Sequence, residues 1–190
     1  MNNDLLSALL SRRSLKPKLL TTPAPGMDEL KVCARAALRA PVHGEKFPCR
    51  FILISESQRS HLADLLSQAA ADQGADELAQ QKAASKAHKG PQIIAFIVTT
   101  DPQGDSTEAL LSAGAALEQF LLALKALGYG AITLSGSLLK EPRLQAAFCT
   151  NTQEKLVAWI TVGTPVETAT FEPETGEGPL SLWKDSYLQR

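Results

Sequence analysis

The sequence predicts an α/β or α+β domain of four or five strands with helices on both faces. Three observations carry this. Stretches of helical and strand periodicity alternate along the chain. The run "IIAFIVTT", Ile93 to Thr100, is apolar without alternation, as a strand buried on both faces requires. A second such run, "KLVAWITVGTP", closes the regular part of the chain at Pro165. At 190 residues, a single domain covering 1–190 is expected, burying about 70% of the surface its unfolded form exposes.

Leu5, Leu6, Leu9 and Leu10 recur at helical spacing, so a first helix is expected to end near Arg13. "LKPKLLTTPAPG", Leu15 to Gly26, holds three prolines and is read as an irregular loop crossing a surface. Met27 to Arg39 returns to helical spacing through Leu30, Cys33, Ala37 and Leu38, and Pro41 stops it. The irregular "APVHGEKFPCR" leads into the strand "RFILISE".

Ser57 to Ala71 reads as a helix with Leu62, Leu65, Leu66 and Ala69 on one face. Ala75 to Lys89 is an alanine-rich polar helix that covers the domain without forming its centre. After the buried strand and the turn "DPQGD", Ser106 to Leu127 is apolar almost all round, which suits a core or a subunit interface. "GYGAITLSGS" carries a strand in its middle, and "KEPRLQAAF" is a short helix with Pro142 in its first turn. The last strand is expected to end in a Gly-Thr-Pro turn, and 166–190 to be an extended polar tail along a surface.

Composition excludes several functions. With 19 basic and 20 acidic residues, the chain has no global field for nucleic acid or an anionic membrane, so any anion must be captured locally. Cys33, Cys49 and Cys149 are widely spaced and include no CxxC, which fits a reduced, intracellular setting. His43, His61 and His88 show no metal-ligand spacing, and no zinc or other metal site is expected. The N-terminus lacks a signal-peptide pattern. The apolar stretch Ala109 to Leu127 is broken by Glu118, Gln119 and Lys125 and is not read as a membrane span. A cytoplasmic protein is expected. Neither GxGxxG after a strand nor GxxxxGK[ST] is present.

Four short segments combine a cation, a small residue or a proline with irregular backbone: "RRS" (Arg12 to Ser14), "RAPVH" (Arg39 to His43), "TLSGS" (Thr133 to Ser137) and "VGTP" (Val162 to Pro165). Each alone reads as a helix end, a surface histidine or a turn. Their order, with "SAGAALEQFLLALKALGYGAITLSG" and "WITVGTP" in the second half, resembles the nitroreductase family, in particular its small bacterial YdjA-like members. The resemblance runs from about Asp4 to Pro165.

That resemblance implies an α+β sandwich with a central, mainly antiparallel sheet of four to five strands, forming an intertwined homodimer with FMN at the subunit interface. It assigns Arg12, Arg13 and Ser14 to the flavin from one subunit, with Arg12 and Ser14 on the phosphate and ribityl end. Arg39 and His43 would reach the same FMN from the other subunit. Thr133, Leu134 and Ser135 would line the flavin, and the Gly163 turn would pass nearby. The chemistry agrees, because arginine forks and a serine hydroxyl pair well with a phosphate that carries close to two charges.

The implied activity is hydride transfer from NADH or NADPH to flavin N5, then to a small acceptor such as a nitroaromatic or quinone, with ping-pong kinetics. The flavin carries the chemistry, so no catalytic side chain is expected. Relatives often carry tryptophan and arginine where this chain has Thr133 and Leu134. Lys46 is therefore a candidate for the missing cation near the reduced flavin. Two alternatives remain at this level: a flavin-binding dimer without reductase turnover, acting as sensor or store, and specialised flavin chemistry on the same fold.

Overall fold

The computed structural model describes residues 4–42, 47–100 and 106–167. Five strands form one sheet in which every pairing is antiparallel. They are β1 (Leu20–Thr21), β2 (Cys49–Ile54), β3 (Gln92–Thr99), β4 (Gly130–Leu134) and β5 (Glu154–Pro165). β3 lies between β2 and β5, and β5 also pairs with β4 and with β1. The helices are α1 (Asp4–Ser11), α2 (Met27–Ala37), α3 (Arg59–Asp72), α4 (Glu77–Ala84), α5 (Ser106–Ala126) and α6 (Pro142–Phe148).

The sheet separates two cores, and strand alternation decides which residue enters which. On one face Ile94, Phe96 and Val98 of β3 meet α2 and α5 through Leu30, Cys33, Ala116 and Phe120. On the other, Ile93, Ala95 and Ile97 meet α3 and the Ala83–Ala87 region through Leu62, Leu66 and Ala69. β3 is buried from Ile93 to Val98, as its unalternating apolar run predicts. Phe51 stacks on Phe120 with centroids 4.2 Å apart, fixing β2 against α5.

Three expectations need correction. The proline-rich loop contains a 3₁₀ turn at Pro17–Leu19 and the two-residue strand β1, whose Leu20 and Thr21 pair with Pro165 and Thr164. Gly163 does not sit in a turn. β5 continues through it because β4 and β1 both pair there, with Gly130 opposite Gly163. Its missing side chain allows close packing: a Cβ would stand 2.6 Å from Pro91 Cγ and 2.8 Å from the Thr21 carbonyl oxygen. The expected helix at Ala75–Lys89 is α4 followed by a 3₁₀ turn at Ser85–His88.

α5 is long and apolar enough to span a bilayer by length and composition. In the fold its Ala113, Ala116, Phe120 and Leu124 form a buried stripe on α2 and the sheet. Leu110 and Leu111 at its N-terminal end are exposed, as are Leu5, Leu6, Leu9 and Leu10 of α1, which packs on α5.

Candidate anion and flavin site

α1 stops at Ser11, and the next residues cap it. Arg13 Nη1 donates to the carbonyls of Leu10 and Arg12, each at 2.9 Å. Lys125 Nζ donates to the Ser11 carbonyl at 3.2 Å. Both cations thus serve helix carbonyls that would otherwise lack partners. Arg12 forms an ion pair with Glu118 of α5, Nε lying 2.9 Å from Oε1. Its Nη1 and Nη2 have no hydrogen-bond partner among the described residues.

Beyond the arginines the chain joins the sheet. Ser14 forms a parallel bridge with Ala131, and Leu15 N donates to the Ala131 carbonyl at 3.0 Å. The approach is close at Gly130, where a Cβ would lie 2.4 Å from Leu15 Cδ1. The result is a small cleft of about 140 Å³ lined by Arg12, Arg13, Leu121, Lys125, Tyr129 and Gly130. The Tyr129 hydroxyl donates to Glu29, and that bond holds the phenol pKa above its ordinary value. Tyr129 is thus a neutral wall beside three cations.

The segment then passes to a second cleft of about 330 Å³, where Pro17 faces Lys86, Lys89, Leu134, Ser135 and Gly136. Trp159 and Thr161 of β5 also line it, so an apolar interior opens between lysines. Seven residues, Ser11 to Pro17, therefore connect a cationic cleft at one end of β4 with an apolar cleft at the other. From Ala131 to Leu134 that strand extends about 10 Å.

Not all the expected residues converge. Arg12, Arg13 and Ser14 come together with β4. Leu134 and Ser135 line the second cleft. Thr133 shares the Ala131 side of the strand, and its Oγ1 is buried without a hydrogen-bond partner among the described residues. Arg39 follows α2, is exposed and lines neither cleft. His43 and Lys46 lie outside the described residues. Sequence reading missed Lys86 and Lys89, which it placed on a covering helix, and missed that Glu118 and Lys125 reach the end of α1.

A larger open groove of about 1180 Å³ shares Ser135, Gly136 and Leu139 with the second cleft and runs on past Lys140, Cys149 and Lys155. Burial raises the pKa of the Cys149 thiol in this groove, and Sγ donates to Gln145 Oε1. Cys33 and Cys49 are pushed by burial to about 11 and about 12, so both are inert thiols in the core.

The sequence model of the nitroreductase family matches residues 9–164, from the end of α1 to the last residues of β5. The chain belongs to the nitroreductase family. It is 33% identical over 164 residues, 85% of this chain and 88% of the relative, to an Escherichia coli K12 protein named "Putative NAD(P)H nitroreductase YdjA". The nitroreductase-like protein of Bacillus cereus superposes with a TM-score of 0.76 at 19% identity, covering 95% of this chain and 93% of that one. A "putative nitroreductase" of Desulfovibrio desulfuricans, solved in complex with FMN, superposes with a TM-score of 0.65 at 22% identity, covering 99% and 96%. The nitroreductase fold is therefore established, and the expected antiparallel sandwich is borne out.

Proposed function

We propose that this nitroreductase is an FMN-dependent oxidoreductase that passes electrons from NADH or NADPH to a small acceptor such as a nitroaromatic or quinone. The observation that carries the reading is the segment from Arg12 to Pro17, which pairs with β4 at Ser14 and borders both the Arg12–Arg13 cleft and the Leu134–Gly136 cleft. The donor set fits an esterified phosphate: the unpaired Nη groups of Arg12, with Arg13 and Lys125 lining the same cleft.

Arg12, Arg13 and Ser14 would hold the phosphate and ribityl end. Thr133, Leu134 and Ser135 would border the ring system, with Arg39 and His43 contributed by the other subunit. FMN, when bound, supplies reversible two-electron acceptance, which no side chain offers. The chain's residues bind and orient it. Lys86 and Lys89 replace Lys46 as the best-placed described cations for opposing a negative charge on the reduced ring, since they share a cleft with Leu134 to Gly136. A single open face would receive donor and acceptor in turn, giving ping-pong kinetics.

A homodimer belongs to the same proposal. Leu5 and Leu10 of α1 and Leu110 and Leu111 of α5 are exposed apolar side chains on two packed helices, suited to a second copy of the chain. A cytoplasmic setting is part of it too, consistent with three free thiols.

The test is a visible spectrum of the protein mixed with FMN and desalted, followed by anaerobic addition of NADH and then NADPH. Retained flavin that bleaches supports the reading and identifies the donor. Retained flavin that stays oxidised supports a sensor or store instead. Loss of flavin on desalting overturns cofactor binding.

A further inference from the structure

Resting on that reading of the cofactor, we propose that Glu118 is the positioning residue of the phosphate site, acting through Arg12. The ion pair uses the Nε side of the guanidinium, 2.9 Å from Glu118 Oε1. This leaves Nη1 and Nη2, the forked edge that recognises phosphate, without a partner among the described residues. An arginine free in solvent samples many rotamers, and an anion that selects one must overcome that entropy. Pairing with Glu118 fixes the side chain before the anion arrives.

The base of this arrangement is fixed as well. Glu118 and Lys125 are seven residues apart on α5, two turns, and therefore lie on one stripe. Lys125 holds the Ser11 carbonyl, immediately before Arg12 in the chain. Leu121, between them on the same stripe, lines the cleft with both arginines. One face of α5 thus sets the end of α1 and the direction of Arg12 together.

Glu118 also brings a negative charge near an anion site, which opposes binding. The side chains of Arg12 and Glu118 are 29% and 47% exposed. Water therefore screens the repulsion between Glu118 and a phosphate, whereas the direct contact at 2.9 Å is screened least. Orientation prevails over repulsion, and this fixes the sign of the test.

The test uses the full chain and two probes, FMN and riboflavin, which differ by the phosphate alone. Affinities are read from flavin fluorescence quenching, and the readout is the ratio of riboflavin Kd to FMN Kd. Glu118→Ala is expected to lower this ratio about tenfold, as couplings between contacting charged residues commonly do, with riboflavin affinity little changed. Glu118→Gln keeps the shape without the charge, and should lower the ratio by less. It also serves if the alanine variant does not fold. In an Arg12→Ala background, Glu118→Ala should lower the ratio no further.

An unchanged or higher ratio on Glu118 substitution overturns the proposal. So does an equal fall in both backgrounds, or a parallel loss of riboflavin, because either would mean that Glu118 acts other than through Arg12. A wild-type chain that holds FMN no better than riboflavin marks a different failure. It refutes the phosphate site itself, and the positioning role falls with it.

Discussion

The carboxamide of Gln145 completes the edge of the sheet at Leu156. Its Oε1 accepts from Leu156 N at 3.1 Å, and its Nε2 donates to the Leu156 carbonyl at 3.1 Å and to the Leu139 carbonyl. β4 ends opposite Trp159, so the first residues of β5 have no strand neighbour on that side. A side chain on α6 does what a strand would do and blunts the edge. Gln145→Met keeps the volume but strands buried backbone groups. It should cost about 1–3 kcal/mol in urea unfolding, with an unchanged slope against denaturant. A midpoint equal to wild type would show the edge satisfied by water.

At the same end of the sheet, Arg50 of β2 reaches across β3 to Glu154. Nε and Nη2 donate to the two carboxylate oxygens, each at 2.7 Å, and Thr150 N and Oγ1 donate to Oε2. These bonds, chiefly those from Arg50, hold the Glu154 pKa at about 2, below its ordinary 4.5. A depressed carboxylate stabilises the fold fully above its unfolded value and ceases to do so as pH falls through its folded one. Wild type should therefore lose stability between about pH 4.5 and about pH 2 more steeply than Glu154→Gln. At neutral pH the variant should be weaker by about 1.5–3 kcal/mol. Parallel slopes across that acid window would exclude the linkage.

What the sequence reveals follows from the range of the forces involved. The apolar run of β3, the long helix α5 and the Pro142 start of α6 were readable because each rests on local periodicity or a local steric rule. β1 was not, because Leu20 and Thr21 pair with residues more than 140 positions away, while the prolines around them suggest a loop. Glu118 and Lys125 were visible only as interruptions of an apolar stretch. Their seven-residue separation was the available sign of a shared stripe, yet nothing local showed that the stripe would meet the end of α1. Lys86 and Lys89 left no comparable signal, because tertiary packing alone brings them to Leu134.

Gly130 and Gly163 are opposite each other, yet they should respond differently to alanine. At Gly130 the new methyl meets chiefly the tips of Leu15 and Leu20, which have some freedom to shift. At Gly163 it meets the Pro91 ring and the Thr21 backbone oxygen. Gly163→Ala should therefore lower stability more, beyond the usual overpacking cost of about 1–3 kcal/mol. Gly130→Ala should act mainly on FMN retention by displacing Leu15 and the arginines before it. Thermal melts and flavin retention on the same samples separate the two effects, and equal losses in both assays would contradict the argument.

Lys86 and Lys89 bear on the flavin's energetics under the proposed function. A cation beside the reduced ring stabilises its anionic form and raises the midpoint potential. Replacing both with methionine should lower that potential by roughly 30 mV or more, a tenfold change in a two-electron equilibrium. Lys46→Ala should shift it less. Redox titration of the three proteins decides the matter, and a larger shift from Lys46 would return the role to that residue.

The exposed leucines give the dimer a direct test. Leu10 and Leu111 are 67% and 70% exposed, too open to contribute much to the stability of an isolated chain. Substituting charge at either position should leave the fold of one subunit within about 0.5 kcal/mol of its starting stability. If these residues instead lie at a subunit interface, each charge would have to be buried without a partner when two copies meet. Leu111→Glu should then convert a dimer to a monomer in light scattering. It should also release FMN, because Arg39 and His43 of the second subunit would no longer complete the site. A variant that stays dimeric and retains flavin would move the interface away from the start of α5.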